Sequence, residues 1–221
     1  MARELKGEKL EKELLRLEEM KAYEKENAQY ELICGIDEAG RGPLAGPVVA
    51  TAVIMPKNCY IEGVTDSKKL SEKKREKLYN EIIESALAYS VQFVFQDVID
   101  EINIRQATHA AMQNAVNGLK IHPDILIVDG NDNIDFNNIE TLYIKKGDSL
   151  SQSIAAASIL AKVTRDRYIV ELSKDYPEYG LEKHKGYATK AHMEAIRKYG
   201  VQPIHRKTFM TDKVLGINKT N

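Results

Sequence analysis

The spacing of apolar residues changes several times along this chain, and each change marks an element. Over 3–26, Leu10, Leu14, Leu17 and Met20 recur every three or four residues with Glu and Lys between them. That is the pattern of an exposed helix with a narrow apolar stripe. The pattern breaks at Leu32. Leu32-Ile33-Cys34-Gly35-Ile36 is a short apolar run that stops at Asp37-Glu38, and the β-branched run from Val48 to Met55 stops at Pro56. Two such runs joined by a loop holding Gly40, Gly42 and Gly46 predict neighbouring strands. A helix follows over 71–88, with Ser71 as its cap and Leu78, Ile82 and Ile83 as its stripe. Alternation over 89–95 predicts a strand, 100–119 a helix, 125–128 a short buried strand and 142–144 another. A long helix over 151–172 opens on Ile154-Ala155-Ala156-Ala157-Ser158, small residues that permit close packing.

Strands that come early and together, then alternate with helices, predict an α/β fold with a mixed sheet flanked by helices. The chain has 221 residues, enough for one domain with its own core and an accessory segment. The division expected is a helical extension over 1–29, one main domain over 30–213 that includes the basic segment 183–213, and a tail over 214–221. Cys34 and Cys59 are the only cysteines, too few for a disulfide framework; Cys34 is expected in the core. The charged N-terminus lacks the apolar stretch of a secretion signal. No run reaches the ~20 apolar residues that span a bilayer. A soluble, cytoplasmic protein without a membrane partner is expected.

Net charge is −1, which is informative only when divided along the chain. Residues 30–182 carry 16 basic and 23 acidic residues, whereas 183–213 carry 8 basic and 2 acidic. An acidic body joined to a basic segment suits a protein that handles a polyanion, and a plain solvated surface would look the same.

The candidate chemistry lies in the acids. Asp37 and Glu38 end a strongly apolar strand, where adjacent side chains point to opposite faces unless the turn at Gly40 aims both at one ion. Asp129 ends the 125–128 run, at the strand edge where open α/β sheets bind ligands, although Asp129-Gly130 also reads as a turn. Asp148, just before the long helix, taken alone reads more readily as an ordinary N-cap. Carboxylates gathered at one edge repel each other unless cations lie between them, and hard oxygen donors suit Mg²⁺ or Mn²⁺. The Gly40-Arg41-Gly42-Pro43-Leu44-Ala45-Gly46 loop has G-x-G-x-x-x-G spacing and leads into a strand, so a dinucleotide-binding turn is rejected. Its glycines instead let another molecule approach the backbone closely, and a ribose hydroxyl, both donor and acceptor, fits.

These residues, in Asp37-Glu38-Ala39-Gly40-Arg41-Gly42-Pro43-Leu44-Ala45-Gly46-Pro47, closely resemble the signature of bacterial ribonuclease HII. The likeness continues through Asp66-Ser67-Lys68-Lys69-Leu70-Ser71, Val128-Asp129-Gly130, Lys146-Gly147-Asp148, the Ile154–Arg167 stretch and His184-Lys185-Gly186-Tyr187. The blocks run in order from 32 to about 209. The resemblance implies a ribonuclease H-like fold and cleavage of the RNA strand of RNA–DNA hybrids. It also implies incision 5′ of single ribonucleotides embedded in duplex DNA, leaving 3′-hydroxyl and 5′-phosphate ends. Asp37, Glu38, Asp129 and Asp148 would be the metal-binding catalytic carboxylates, holding two divalent ions, Mn²⁺ or Mg²⁺. Gly40, Arg41 and Gly42 would read the 2′-hydroxyl through their backbone. Tyr187 would stack on the neighbouring deoxyribose, and His184 and Lys185 would contact substrate beside it. A monomer is expected. The segment after Phe209 carries no convincing docking motif for a replication clamp.

Several charged residues are given humbler roles. Asp166, four residues after Lys162 and flanked by Arg165 and Arg167, is expected in a helix-surface ion pair. His109 and His122 are expected at the surface or in packing. The basic segment 183–213, including His192, His205 and Arg206, is expected to grip phosphates. Lys68 and Lys69 read equally as phosphate contacts or as a solvated pair.

Overall fold

The computed structural model describes residues 7–217. The expected helix and strand order is present. In chain order the elements are α1 (Glu8–Glu19), α2 (Ala22–Glu26), β1 (Ile33–Ala39), β2 (Val48–Ile54), α3 (Glu72–Ser85) and β3 (Ala88–Val94). They continue with α4 (Gln96–Asn117), β4 (Ile125–Asp129), β5 (Glu140–Ile144) and α5 (Gln152–Leu172). The basic segment forms α6 (Leu181–His184), α7 (Lys190–Tyr199) and α8 (Asp212–Leu215). The five strands make one mixed sheet in the order β3-β2-β1-β4-β5. β1 pairs antiparallel with β2 and parallel with β4, which places the two acid-bearing strands side by side. Among the described residues no helix is long and apolar enough to cross a membrane.

Two faces of the sheet carry different layers. Cys34, Ile36, Leu126 and Val128 pack with Ala107, Ala111, Met112 and Ala115 of α4. On the opposite face, Ile33, Ile125 and Ile127 pack with Ile154 of α5. The small-residue start of α5 does what its composition predicts: a Cβ at Gly35 would lie 2.2 Å from the Ser153 backbone, so helix and strand touch without side chains between them. Every residue from 152 to 161 is buried.

Three expectations about elements need correcting. The single helix over 3–26 is two helices, because Met20 and Lys21 turn inward at the break; the Lys21 ammonium donates to the Lys57 and Cys59 carbonyls. Only Leu17 and Met20 of its stripe are buried, whereas Leu10 and Leu14 are exposed. Residues 3–6 of that helix and 218–221 of the tail lie outside the described residues. The helix expected over 100–119 begins at Gln96 and breaks at Asn103, whose φ is 68°. The Asn103 side chain accepts from the Arg105 and Gln106 N–H groups at 3.0 and 3.1 Å, capping the second part. The cap of α5 is Ser151, which accepts from Ile154 N–H at 3.2 Å; Asp148 lies in the preceding 3₁₀ turn, its side chain hydrogen-bonded to Asp66.

The N-terminal extension is attached where that turn meets α5. Gln152 N–H donates to the Met20 carbonyl at 2.9 Å, and Glu24 accepts from Ser151 Oγ at 2.7 Å and Ser153 N–H at 3.0 Å. A carboxylate on the first turn of a 21-residue helix is in the favourable field of the helix dipole.

Candidate metal centre and substrate-facing loop

Strand parity places the acids. Ile33, Gly35 and Asp37 face α5, as do Ile125, Ile127 and Asp129 on the parallel neighbour, whereas Glu38 follows Cys34 and Ile36 to the α4 face. Asp148 arrives from the turn just before α5. One carboxylate oxygen from each of Asp37, Asp129 and Asp148 lies within 4.8 Å of the others. Glu38 stands outside this triad, in a hollow lined by Arg41, His109 and Asp129. The opposite-face reading of Asp37 and Glu38 therefore holds, and Asp129 lies near both.

Each acid of the triad is held by neighbours. Asp129 Oδ1 accepts from Gly147 N–H at 2.7 Å, and Asp37 Oδ1 accepts from Glu38 N–H at 2.7 Å. Ser158 of α5 also bonds Asp37 and lies 3.0 Å from Ser67 Oγ, tying the centre to the 66–70 turn. Burial, reinforced by the charges of Glu38 and Asp129, pushes the Asp37 carboxyl well above the ordinary range. Burial followed by Asp66 and Asp129 pushes Asp148 up to about 6. Glu38 is raised by burial against the opposing pull of Arg41. Burial would lower Lys68, but Asp37, Asp148, Asp66 and Asp129 outweigh it and hold the ammonium more firmly protonated.

A site of oxygen donors, crowded enough to resist ionisation, fits divalent cations: a cation between the carboxylates removes the repulsion that raises them. The triad can hold such ions; Glu38, on the other face, is not among the clustered oxygens. Metal binding requires ionised carboxylates, so it releases protons. The apparent affinity for Mn²⁺ is therefore expected to rise with pH from 5 to 8, by up to about tenfold per unit for each proton released. Titration calorimetry in buffers of different protonation enthalpy checks this. An affinity flat over that range would take Asp37 and Asp148 out of the ligand set.

The surroundings also differ from expectation. An open cleft of ≈ 420 Å³ has Asp66, Asp129 and Asp148 together with Lys68, Lys69, Lys145 and Lys146 on its walls. Cationic groups for a polyanion thus sit beside the acids, from the 66–70 and 145–149 turns, and not only in the basic segment. Within 183–213, three residues expected to grip phosphates are buried: His192 and His205 are at most 1% exposed and Arg206 is 0% exposed. Gln202 N–H donates to His205 Nδ1 at 3.0 Å, so His205 carries its proton on Nε2 and donates to His192 Nε2 at 3.2 Å. His192 is left to donate from Nδ1 to the Tyr187 carbonyl at 3.0 Å. Burial pushes both imidazoles down to about 4, keeping this chain neutral. His184 also turns inward. Its Nε2 bonds the Tyr179 carbonyl at 2.9 Å, its Nδ1 is buried without a hydrogen-bond partner among the described residues, and its ring stacks 4.5 Å from His192. It supports the turn and does not face outward beside Lys185, whose ammonium donates to the Glu182 carbonyl.

Tyr187 itself is 42% exposed, and a Cβ on Gly42 would lie 3.8 Å from its ring, so the loop and the tyrosine share one surface. Leu44 N–H donates to the Gly186 carbonyl at 2.8 Å, joining the two segments. Asp166 pairs with Lys162 at 2.8 Å, as expected. Arg165 does not share that surface: it is 1% exposed and reaches the Pro47 and Ala45 carbonyls. The helical face Ile154, Ser158, Ala161, Arg165, Ile169 carried the signal, since continuing the small-residue stripe by threes and fours lands on it. For Asp66 no periodic signal exists; only its place in the Asp66-Ser67-Lys68 block marks it.

The family model described as Ribonuclease HII matches residues 34–212. A ribonuclease HII of Caldicellulosiruptor bescii is 60% identical over 186 residues, 83% of this chain and 89% of the relative. The crystal structure of the ribonuclease H2 from Pyrococcus horikoshii superposes with a TM-score of 0.70 at 33% identity, covering 84% of this chain and 97% of that one. The ribonuclease HII of Archaeoglobus fulgidus, solved in complex with PCNA, superposes with a TM-score of 0.68 at 28% identity, covering 80% and 95%.

Proposed function

The chain belongs to the ribonuclease HII family of phosphodiester-hydrolysing enzymes, and on that premise we propose that it cleaves the RNA strand of RNA–DNA hybrids and incises duplex DNA 5′ of single embedded ribonucleotides. The observation that carries this reading is the Asp37, Asp129, Asp148 triad, with ligand oxygens within 4.8 Å of one another, close in sequence to a glycine loop whose Arg41 and Gly42 are exposed. The products are a 3′-hydroxyl and a 5′-phosphate.

Asp37, Asp129 and Asp148, with Glu38 from the opposite face, would hold two divalent cations, Mg²⁺ or Mn²⁺. The chemistry such ions would supply is activation of the attacking water and neutralisation of the charge on the departing 3′ oxygen. The protein supplies the rest. Lys68, Lys69, Lys145 and Lys146 attract the phosphates bordering the centre without regard to sequence. The loop at Gly40, Arg41 and Gly42 contacts the ribose hydroxyl through its backbone, and Tyr187 stacks on the adjacent deoxyribose. Lys185 lies at the edge of that surface. Reading the sugar beside the scissile bond ties substrate identity to rate when the contact aligns the phosphate in the transition state.

The test is a duplex carrying one ribonucleotide, assayed with Mg²⁺, with Mn²⁺ and with chelator, against an all-DNA control. Cleavage is expected only with metal and only 5′ of the ribonucleotide. Equal cutting of the control would make the protein a metal nuclease without ribose selectivity.

A further inference from the structure

Two guanidinium groups are buried under the glycine loop without an ion-pair partner among the described residues. Arg206 donates from Nε to the Gly46 carbonyl at 2.9 Å, from Nη1 to Arg41 at 2.8 Å and from Nη2 to Gly40 at 2.6 Å. Arg165 donates from Nε to Pro47 at 2.9 Å, from Nη1 to Lys185 at 3.0 Å and from Nη2 to Ala45 at 3.1 Å. Six carbonyls from the two segments that form the exposed surface are thus turned onto two forks. Burying such a charge is expensive, and an apolar side chain would fill the space at less cost in free energy. The expense is visible at Arg206, which burial and then Arg165 push down to about 9. What no apolar residue can do is hold several carbonyls in fixed directions at once.

That direction has a consequence on the other side of the loop. The described chain has no cis peptide bond, and in a trans peptide the C=O and the N–H point opposite ways. With the Gly40 and Arg41 carbonyls drawn inward, the next N–H groups, those of Arg41 and Gly42, face outward. Both residues are exposed, and neither N–H donates to an acceptor within the described protein. Gly40 is needed for the same reason: its φ is +97°, and a Cβ there would lie 2.1 Å from Arg165 Nε.

We propose that Arg206, with Arg165, is a specificity-positioning residue: by gripping the inner carbonyls of the loop it aims the Arg41 and Gly42 N–H pair at the sugar oxygen that separates a ribonucleotide from a deoxyribonucleotide. The proposal rests on the ribose-reading role given to the loop above. Arg165 extends the control to Tyr187, since the same fork holds the carbonyl of Lys185, two residues earlier.

The experiment uses the full chain carrying Asp129→Asn to stop turnover. Fluorescence anisotropy with Mg²⁺ gives its affinity for a duplex with one ribonucleotide and for the same duplex in all-DNA form. Arg206→Lys, which keeps the charge and loses the fork, is added to that background. The preference for the ribonucleotide is expected to fall about tenfold, the loss of one to two hydrogen bonds, while affinity for the all-DNA duplex is unchanged. The all-DNA affinity doubles as the check on folding, because an unfolded protein loses both. If Arg206→Lys does not fold, Arg165→Lys gives the same readout. An undiminished preference in a folded variant overturns the proposal. Absence of any preference before the arginine is changed overturns the ribose-reading role of the loop instead.

Discussion

Asp129→Asn is expected to lose at least about a thousandfold in turnover and still bind an RNA–DNA hybrid. The side chain sits at the end of a parallel strand with Oδ1 committed to Gly147 N–H, which leaves its second oxygen for the centre. In the amide, the one remaining oxygen is the only partner for Gly147 N–H, so the NH₂ group is turned toward the cations, where it cannot ligate. Metal ions supply several kcal/mol of transition-state stabilisation in hydrolysis of this kind, and each ~1.4 kcal/mol is a factor of ten. Binding survives because the phosphates are attracted by Lys68, Lys69, Lys145 and Lys146, none of which the substitution touches. Single-turnover cleavage and hybrid anisotropy measure the two quantities separately. Full activity would remove Asp129 from the centre.

Asp37→Asn is expected to be equally inactive and, without metal, more stable than the parent. Asp37 is 4% exposed and its carboxyl titrates well above the ordinary range, through burial first and the charges of Glu38 and Asp129 next. The sign follows from proton uptake. Between the unfolded value near 3.8 and the raised folded value, the folded state binds more protons, so this group lowers stability as pH rises. At pH 7 in chelator the amide escapes that penalty, and its oxygen can still accept from Glu38 N–H and Ser158. The melting temperature should rise by ~2–4 °C for each kcal/mol relieved, with the gain shrinking toward pH 4. Added Mn²⁺ should raise the parent's melting temperature more than the variant's. An unchanged or lower metal-free melting temperature would mean that the triad is not strained by its own charge. A site that gives up stability to hold charges together is the usual exchange between function and stability.

Much of this arrangement is legible in the sequence. The apolar runs before Asp37 and Asp129 marked two central strands, and the period of two separated Asp37 from Glu38 onto opposite faces. The alanine-rich start of α5 announced the close packing seen at Gly35. All of these depend on residues a few positions apart, where helix and strand geometry repeat without help from the rest of the chain.

What misled was charge. Arg206, His192 and His205 read as a basic segment that grips phosphates; all three are buried, and so is Arg165. A guanidinium can be buried only where carbonyl oxygens await it, and those of Arg206 belong to residues 160 to 166 positions away. Asp66 raises Asp148 from a turn more than eighty residues earlier, and Ser67 meets Ser158 across 91. Short-range periodicity and sterics fix the order of the elements, the faces of the strands and the acids that end them, but not the breaks at Met20 and Asn103. Tertiary structure alone decided which charges meet solvent and which meet backbone, because desolvation and hydrogen bonding between distant segments depend on distances that only folding creates.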